Sequence, residues 1–404
     1  MAGIGVGSRY LDQRAGRVGT PAAASQGIAR RDHAVLIGPE TATALGIEWG
    51  RLAGHAVEDN LFFHPDVMLP AIGHLGEDPR IAVVRDARGR LTGLAPVVMT
   101  RLGRIAPAVS IWSHDYGPLG VPLIDRRDVD GAVSAMVDIA GKGSLIVPDL
   151  TLEGPVAAAL TAAAERSRRP VAIVGGHLRA MLLRPQAGTV DLRANSLRRR
   201  GGRVARQMRR LADLGTVTIE TTAEPDCVRA RFEEFLTLEA AGWKGRSGTA
   251  LASASATAGF AREMVFNRSE EGAARIDSIR VAEHPIAILV SFVAGATAFT
   301  WKIAFDEGFR RFSPGAQLML EAPRSLFSDP NVARIDSCAA ADHPMIDHLW
   351  KDRLAVGTLV IGPPSGAIHR LGLAVLRAEV GVRDTARRLR SRLFAGRKHR
   401  EAGL

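Results

Sequence analysis

The chain has 404 residues, of which 46% are hydrophobic and 24% are charged. This length and composition predict two or three globular domains with sizeable cores, and they exclude a largely disordered or collagen-like chain. The formal net charge of +11 is carried mainly by arginine spread along the chain, so it predicts only an attraction to polyanions at low salt. Two cysteines far apart in sequence, Cys227 and Cys338, fit a reducing compartment better than a disulfide framework.

The first 33 residues are rich in glycine, alanine and arginine without any sustained period, and we expect residues 1–33 to be disordered. Charged residues such as Arg9 and Asp12 come too early for a signal peptide. The longest apolar stretch, Pro285 to Phe299, is divided by Gly295 and is typical of two strands rather than a membrane span. We therefore expect no transmembrane segment and a cytoplasmic protein.

Residues 34–190 alternate between strand and helix patterns. Asn60 to Pro65 and the short apolar run that follows predict a helix, and Arg80 to Arg85 with Leu91 to Met99 predict a hairpin. A third strand is expected over Ser110 to Tyr116. Beyond it we expect the helices Ala132 to Ala140 and Gly154 to Arg168, and the strands Ser144 to Val147 and Val171 to Val174.

Two segments concentrate arginine. In the first, apolar residues from Leu197 to Leu211 share one face of a predicted helix, which Gly201 and Gly202 interrupt, and its arginines are Arg198, Arg199, Arg200, Arg203, Arg206, Arg209 and Arg210. The second is the tail 387–400, expected as a surface helix. The first is either a solvated face or a contact for a phosphate or an acidic substrate, and the tail is either a frayed surface helix or a contact for anionic lipids. The arginines also predict non-specific polyanion binding.

The segment from Arg275 to Pro363 is the most regular part of the sequence. Its pattern predicts three strands, a basic turn at Arg310 to Ala316, and then a helix, a strand, a short helix and a final strand. The predicted elements are Arg275 to Glu283, Pro285 to Val293, Ala296 to Ile303, Gln317 to Ala322, Val332 to Ser337, Pro344 to Trp350 and Leu354 to Ile361.

The basic turn predicts an anion site, because the first backbone N–H groups of a helix have no intrahelical acceptor and point at whatever the turn embraces. The candidate residues are Arg310, Arg311, Ser313, Gly315 and Ala316. The alternative is an ordinary helix start with Ser313 as N-cap and Pro314 in the first turn.

This element order with a basic, glycine-containing turn resembles the GNAT acyltransferase superfamily, and most closely its CelD-like branch, named for cellulose biosynthesis. The resemblance covers roughly the C-terminal half. Its residues are Trp243 to Ala250, Trp301 to Glu307, Ser313-Pro314-Gly315, Ile335-Asp336-Ser337 and His343-Pro344-Met345 ending at Trp350. The resemblance implies an acyl-CoA donor bound at the turn. In the family pattern Arg310 and Gly315 match, whereas Ser313 replaces the middle glycine and Pro314 removes one donor.

The N-terminal hairpin and third strand repeat this order, with Trp112 in the place of Trp301. We therefore expect an α/β (α+β) protein of two tandem GNAT-like lobes, with mixed, mostly antiparallel sheets flanked by helices, as in proteins that resemble Fem aminoacyl transferases. The lobes are predicted at 34–190 and 191–365, with a basic helical tail at 366–404. Asp115 at the N-terminal turn would repel a pyrophosphate, so we expect that turn to shape an acceptor cleft between the lobes.

Acyl transfer requires a group that takes a proton from the acceptor, and Asp306, Asp336 and His343 are predicted near the ends of the C-terminal strands. We select these three as candidate catalytic residues. Cys338 as a covalent nucleophile is a weaker hypothesis, because no basic residue stands beside it in the sequence. No spacing of histidines, cysteines or carboxylates indicates a metal site.

Two tryptophan-lysine pairs, Trp243-Lys244 and Trp301-Lys302, are candidate substrate-binding residues, with the lysines meeting a phosphate or carboxylate. The alternative for both rings is core packing. Because neighbouring residues of a strand face opposite ways, Trp301 and Lys302 are not expected to line the same cavity.

The sequence thus predicts an acyl-CoA-dependent N- or O-acyltransferase acting on a small molecule, a polysaccharide or a cell-envelope precursor. Two alternatives stay open. One is a Fem-like aminoacyl transferase, and the other is a non-catalytic scaffold that binds nucleotides or polyanions through its arginines.

Overall fold

The computed structural model describes residues 32–185 and 206–401, and the predictions for residues 1–31 and for Arg198 to Arg203 lie outside these ranges. The strands of the described residues are β1 His33–Ile37, β2 Arg80–Arg85, β3 Leu91–Leu102, β4 Ala106–Ile111, β5 Leu123–Ile124, β6 Ser144–Thr151, β7 Val171–Leu183, β8 Val217–Thr222, β9 Ala274–Val281, β10 His284–Ala294, β11 Thr297–Phe305, β12 Arg334–Asp336 and β13 Asp352–Ile361.

Helices cover the sheet. They are α1 Pro39–Thr43, α2 Gly46–His55, α3 Pro65–His74, α4 Val129–Asp138, α5 Pro155–Arg166, α6 (described over 206–212), α7 Pro225–Ala241, α8 Trp243–Arg246, α9 Ser255–Glu270, α10 Pro314–Leu326, α11 Ile346–Leu349 and α12 Ala367–Glu401. Within the described part of the chain, no helix combines the length and apolar character needed to cross a membrane.

One continuous mixed sheet, rather than a separate sheet in each lobe, contains all thirteen described strands. Its order is β1-β2-β3-β4-β6-β13-β7-β12-β11-β10-β9-β8, with β5 paired to β3. In the N-terminal lobe the antiparallel meander β2-β3-β4 is followed by β6, which pairs parallel to β4. In the C-terminal lobe the meander β9-β10-β11 is followed by β12, which pairs parallel to β11. The predicted repetition of one topology is therefore present in the fold.

The last strand of each lobe is inserted into the other lobe. β13 lies antiparallel between β6 and β7, and β7 lies antiparallel between β13 and β12. Each lobe thus leaves a gap between its own last two strands, and the other lobe fills it. Because the backbone groups of a buried strand must be hydrogen-bonded, neither lobe completes its sheet alone.

The hydrophobic core follows the sheet across both lobes. Phe62 of the N-terminal lobe packs edge to face on Phe299 of β11, with ring centroids 5.7 Å apart. On β10 the consecutive residues Ile286 to Phe292 are all buried, which is typical of a strand covered on both faces. The core therefore holds the lobes together as well as each lobe internally.

The helix α12 packs across β3, β4 and β7 at the far end of the chain. Gly103, in the turn between β3 and β4, has φ +54, and a Cβ there would stand 2.1 Å from the carbonyl oxygen of Gly372. Buried His369 adds a hydrogen bond to the Ser144 hydroxyl at 2.9 Å. The helix therefore lies closely on three strands of the N-terminal lobe, one of which, β7, also completes the sheet of the C-terminal lobe.

The C-terminal elements match their predicted positions closely, and the N-terminal third strand does not. That strand is Ala106–Ile111 rather than Ser110 to Tyr116, because the tight turn at Gly103 and Arg104, both with positive φ, starts the strand early. The predicted turn at Asp115 to Gly120 is present, and His114 and Gly117 form an isolated bridge within it.

The strand exchange predicts that the two lobes do not fold separately. We expect fragments 1–190 and 191–404 to lack cooperative unfolding when expressed alone, and to copurify when coexpressed, because each supplies a strand to the other. Circular dichroism during urea unfolding and affinity copurification measure these outcomes. A cooperative unfolding transition of fragment 1–190 alone would contradict the exchange.

Candidate functional site

The strand β11 is longer than its parallel partner. It pairs with β12 from Thr297 to Phe299, β12 ends at Asp336, and Thr300 to Phe305 have no described strand partner on that side. The helix α10 begins near the open end, at Pro314. A strand that extends beyond its partner leaves backbone groups on one side without a ladder, and of these the Ile303 carbonyl accepts from Lys244 Nζ.

A cavity of 320 Å³, here called the splay cavity, forms a cleft beside this part of β11. Its walls come from β11, from the loop around α8 and from the start of α10. They include Leu238, Glu239, Trp243, Lys244, Ile303, Ala304, Phe305, Gly315, His343 and Met345. The sequence-predicted residues Trp243, Lys244, Gly315 and His343 are thus brought together here.

The turn before α10 carries a left-handed serine. Ser313 has φ 53 and ψ 49, and its side chain makes no capping hydrogen bond, unlike the predicted N-cap role. Positive φ is the conformation that favours glycine, which explains why the family pattern has glycine where this chain has Ser313. Because Gln317 N–H is the first to bond within the helix, to Ser313 O, the Gly315 and Ala316 N–H groups have no intrahelical acceptor.

The two arginines of the turn lie at the surface. Arg310 is 72% exposed, with Glu307 3.7 Å away, and the guanidinium of Arg311 lies 4.7 Å from the ring centroid of Phe312. Neither lines the splay cavity. Their position at the mouth of the turn suits a solvent-exposed phosphate better than a buried group.

An ion pair balances the positive charge of Lys244 inside the splay cavity. Its Nζ donates to Glu239 Oε1 at 2.7 Å and to the backbone carbonyl of Ile303 at 3.2 Å, while Glu239 Oε2 accepts from Leu251 N–H at 2.8 Å. Trp243 is half exposed at the edge of the same cavity. The Lys244–Glu239 pair therefore fixes α7, α8 and β11 around the cleft.

His343 lies in the splay cavity as a neutral hydrogen-bonded ring. Its Nδ1 accepts from the backbone N–H groups of Met345 and Ile346 at 3.4 and 3.3 Å, and burial lowers the pKa of the imidazole. A neutral ring that accepts at Nδ1 carries its proton on Nε2. His343 therefore lines the cavity with a ring whose Nε2 is a donor.

The two candidate aspartates lie elsewhere. Asp306 caps the 3-10 turn Glu307–Phe312 through Gly308 N–H at 2.8 Å and pairs with His284 at 2.9 Å. Asp336 is buried, pairs with Arg179 at 3.2 Å, and accepts from Cys338 N–H at 2.8 Å. The structure therefore does not bring Asp306 and Asp336 together with His343 in one cavity.

A second cavity of 560 Å³, here called the inter-lobe cavity, lies between the lobes. It is lined from the N-terminal lobe by Asp115, Tyr116, Asp149 and Arg179, and from the C-terminal lobe by Trp301, Lys302, Cys338, Ala339, Ala340 and Ala341. Burial raises the pKa of the Cys338 thiol well above its usual range, so the thiol stays protonated.

Trp301 and Lys302 both line the inter-lobe cavity, and the expectation that they face opposite ways is wrong. Lys302 pairs with Val290 and Thr300 pairs with Ser291, which leaves Trp301 as an extra residue in a β-bulge. A bulge breaks the two-residue alternation of a strand. The Trp301 indole then donates to the carbonyl of Tyr116 at 2.9 Å, across the lobes.

β11 is the common wall of the two cavities. Trp301 and Lys302 face the inter-lobe cavity, and Ile303 to Phe305 face the splay cavity. A ligand in each cavity would therefore lie on either side of one short stretch of backbone.

Aromatic rings join the lobes beside these cavities. The ring centroid of His114 lies 4.9 Å from that of Trp112 in a tilted arrangement and 5.9 Å from that of Phe260 in an edge-to-face arrangement. The rings of Phe260 and Trp301 are also edge to face, with centroids 6.3 Å apart. Burial lowers the pKa of His114 to about 4. The neutral imidazole is thus part of the packing between the lobes.

Glu239, Tyr116 and Arg179 are site residues that sequence reasoning did not select. Tyr116 was assigned to a strand, although it follows β4 in the turn. Glu239 and Arg179 lie in elements whose full length was not predicted, α7 and β7. The glutamate five residues before Lys244 on a helical pattern was a usable signal, because a buried lysine needs a counter-ion.

A family model described as "Acetyltransferase (GNAT) domain" matches residues 197–344. The chain thus carries a GNAT-type acetyltransferase domain in its C-terminal half, over the segment that contains the splay cavity. No curated protein matches the sequence.

Solved structures resemble the chain in fold. The C-terminal domain (DUF2156) of a putative lysylphosphatidylglycerol synthetase from Agrobacterium fabrum has a TM-score of 0.51 at 11% identity, covering 84% of this chain and 96% of that chain. FemX has a TM-score of 0.48 at 11% identity, covering 78% and 95%. A tandem GNAT protein from the clavulanic acid biosynthesis pathway has a TM-score of 0.39 at 16% identity, covering 83% and 99%. The first of these likenesses extends the shared fold over both lobes.

The left-handed backbone at residue 313 predicts that Ser313→Gly stabilises the protein. We expect a gain of about 0.5 kcal/mol, because a non-glycine residue costs about 1–2 kcal/mol there and the greater freedom of unfolded glycine offsets part of it. The urea midpoint should rise with an unchanged m-value. Ser255→Gly, in the exposed first turn of α9, is the matched control and should not stabilise. A lower midpoint for Ser313→Gly would contradict the analysis.

The buried neutral His114 predicts a pH dependence of stability. Its pKa is about 4 in the folded protein, below the ordinary 6.5, so the unfolded chain binds the extra proton between these values. Stability from this group is therefore complete above pH 6.5 and is lost as the pH falls towards 4, by about 1.4 kcal/mol per pH unit. His114→Asn should flatten the unfolding free energy against pH in this window relative to the wild type. His348→Asn, at an exposed histidine, should not, and equal profiles for all three proteins would contradict the prediction.

Proposed function

We propose that the protein is an acyl-CoA-dependent N- or O-acyltransferase that binds the donor in the splay cavity and the acceptor in the inter-lobe cavity. The observation that carries this proposal is the position of the two cavities on either side of β11, with the open start of α10 at the splay cavity. A donor that enters through the cleft and an acceptor that enters between the lobes would meet at Trp301 to Ile303.

The donor end of the site is suited to a long anionic thioester. The Gly315 and Ala316 N–H groups, together with the positive end of α10, would receive a pyrophosphate, with Arg310 and Arg311 at the mouth of the turn. The half of β11 that extends beyond β12 would offer backbone groups to an extended amide chain, and the apolar walls of the splay cavity would accept its methylene groups. Acyl-CoA has these three parts in this order.

The transfer requires that the acceptor loses one proton and that the leaving thiolate gains one. The acceptor nitrogen or oxygen attacks the thioester carbonyl carbon, the acceptor loses its proton, the carbon–sulfur bond breaks, and the thiolate takes a proton. His343 holds its proton on Nε2 and lies in the splay cavity, so we assign it as a hydrogen-bond donor to the thioester oxygen or the leaving sulfur. Asp306 and Asp336 are engaged in a turn and in a buried ion pair, and we assign them to the framework of the site.

The acceptor is a small molecule or the end of a glycan, in the size range that a cavity of 560 Å³ admits. The resemblance of the residue clusters around the turn supports membership of the CelD-like branch. Such membership would make the acceptor a polysaccharide or a cell-envelope precursor. We propose a cytoplasmic location, because the two cysteines are free thiols in the structure.

Gly315 offers a graded test of the donor site. A Cβ at this position would have ordinary contacts of 3.6 Å with Ile303 and Phe305, so Gly315→Ala should fit, whereas the branches of Gly315→Val enter the splay cavity. We expect acetyl-CoA affinity to fall about tenfold for Gly315→Val, or about 1.4 kcal/mol, and much less for Gly315→Ala. Isothermal titration calorimetry measures both.

Equal acetyl-CoA affinity in the wild type, Gly315→Ala and Gly315→Val would remove this turn from the donor site. Two further titrations separate the alternatives. Binding of aminoacyl-tRNA without binding of acetyl-CoA would favour the Fem-like transferase. Association with RNA that disappears at high salt, again without acetyl-CoA binding, would favour the scaffold.

A further inference from the structure

The two lysines beside β11 differ in their charge balance. Lys244 is paired with Glu239 at 2.7 Å. Lys302, over the residues that the structure describes, has neither an ion-pair partner nor a hydrogen-bond acceptor. Its ammonium instead lies 5.0 Å from the ring centroid of Tyr116 and 5.7 Å from that of Trp301. Lys302 is half-buried, and rings compensate a partly desolvated cation only in part.

Lys302 and the Tyr116 ring beneath its ammonium both line the inter-lobe cavity. Burial lowers the pKa of its ammonium, and the neighbouring Lys244 lowers it further. Both effects are reversed by an anion, because an opposite charge at hydrogen-bond distance restores the favourable environment that water provided. The geometry at Lys302 therefore favours an anion beside its ammonium, although Glu239 and Asp115 already act in the same direction from a distance.

The other charged groups that the structure describes in the cavity do not form an ion pair with Lys302. Arg179 donates to Asp336 at 3.2 Å and to the carbonyl of Pro118 at 2.7 Å, while its Nε is buried without a partner among the described residues. Arg383 also lines the cavity and is exposed. The charge of Asp149 raises the pKa of Arg179. The charge of Asp115 raises the pKa of Lys302, although the two side chains form no ion pair. The two aspartates limit the cavity to an anion of modest charge, held at the lysine and away from the carboxylates.

We propose that the inter-lobe cavity binds a ligand that carries a carboxylate or phosphate group, and that this group docks on Lys302 over the ring of Tyr116. This inference rests on the proposed function where it identifies the ligand as the acyl acceptor. The acceptor is then an acidic amine or alcohol, such as an amino acid, an aminosugar acid or a sugar phosphate. Lys302 acts as its specificity residue, and the nucleophile reaches past Trp301 towards the splay cavity.

The anion site is tested without assuming any activity. Thermal unfolding is measured against inorganic phosphate and against acetate, at constant ionic strength, for the wild type and three lysine variants. Lys302→Met removes the charge at similar volume, Lys302→Arg keeps it, and Lys142→Met removes an exposed lysine outside both cavities as the matched control. Arg310→Ala with Arg311→Ala reports anion binding at the turn of the splay cavity.

We expect the dissociation constant for one or both anions to rise at least tenfold in Lys302→Met, and to change little in Lys302→Arg and Lys142→Met. The control matters because a net charge of +11 attracts anions everywhere, and only the difference between the two methionine variants reports this site. Equal effects of Lys302→Met and Lys142→Met would overturn the inference. So would a loss confined to the Arg310 and Arg311 variant, or no measurable binding in the wild type.

The acceptor role is tested with acetyl-CoA and matched amines, following release of the CoA thiol. Phosphoethanolamine and β-alanine carry the acid that ethanolamine lacks. We expect a higher kcat/KM for an acid-bearing amine, and a loss of at least tenfold of this preference in Lys302→Met, mainly through KM. No preference for the acid-bearing amines would overturn the acceptor assignment.

The two proposals fail in different ways. If acetyl-CoA neither binds nor reacts, while Lys302→Met still loses anion binding, the donor function fails and the anion site stands. If acetyl-CoA binds and Lys302→Met behaves like Lys142→Met, the donor function stands and the anion site fails.

Discussion

The antiparallel pairing of β7 with β13 is the constraint on which the rest of the molecule depends. These are the last strands of the two lobes, and they run side by side from Val171 and Ile361 to Met181 and Asp352. Each also completes the sheet of the opposite lobe. The hydrogen bonds of both strands tie the two lobes into one sheet. The inter-lobe cavity therefore lies between lobes that share their strands.

Local patterns predicted the C-terminal lobe well because they are expressed within single elements. β9, β10, β11, α10 and β13 follow from alternation, β-branched residues and a helix start. The exchange of β7 and β13 leaves no such trace, because a strand's own sequence does not specify its partner. β7 shows this best. The sequence pattern predicts only its apolar start, Val171 to Val174. The strand nevertheless continues to Leu183 through Gly175 and Gly176, although glycines ordinarily mark the end of a strand pattern.

The site was predictable in part for the same reason. The turn at Ser313 to Ala316 and the two tryptophan-lysine pairs are contiguous in sequence, and the structure places all of them at the two cavities or at their mouth. Tyr116 and Arg179 are contributed by the other lobe, and only the folded chain brings them to Trp301 and Lys302. The bulge at Trp301 is a tertiary effect as well, since the alternation of the strand gave the opposite expectation.

The bulge also explains how one strand lines two cavities. Had β11 kept its regular alternation, Trp301 and Lys302 would face opposite sides, and the inter-lobe cavity would lose one of its two walls. With the extra residue, both side chains line the inter-lobe cavity, and the lining of the splay cavity begins at Ile303. Donor and acceptor would then approach the same few backbone atoms, which favours direct transfer between them. The alternative, a covalent intermediate on Cys338, requires a thiolate, and burial of that thiol keeps its proton in place.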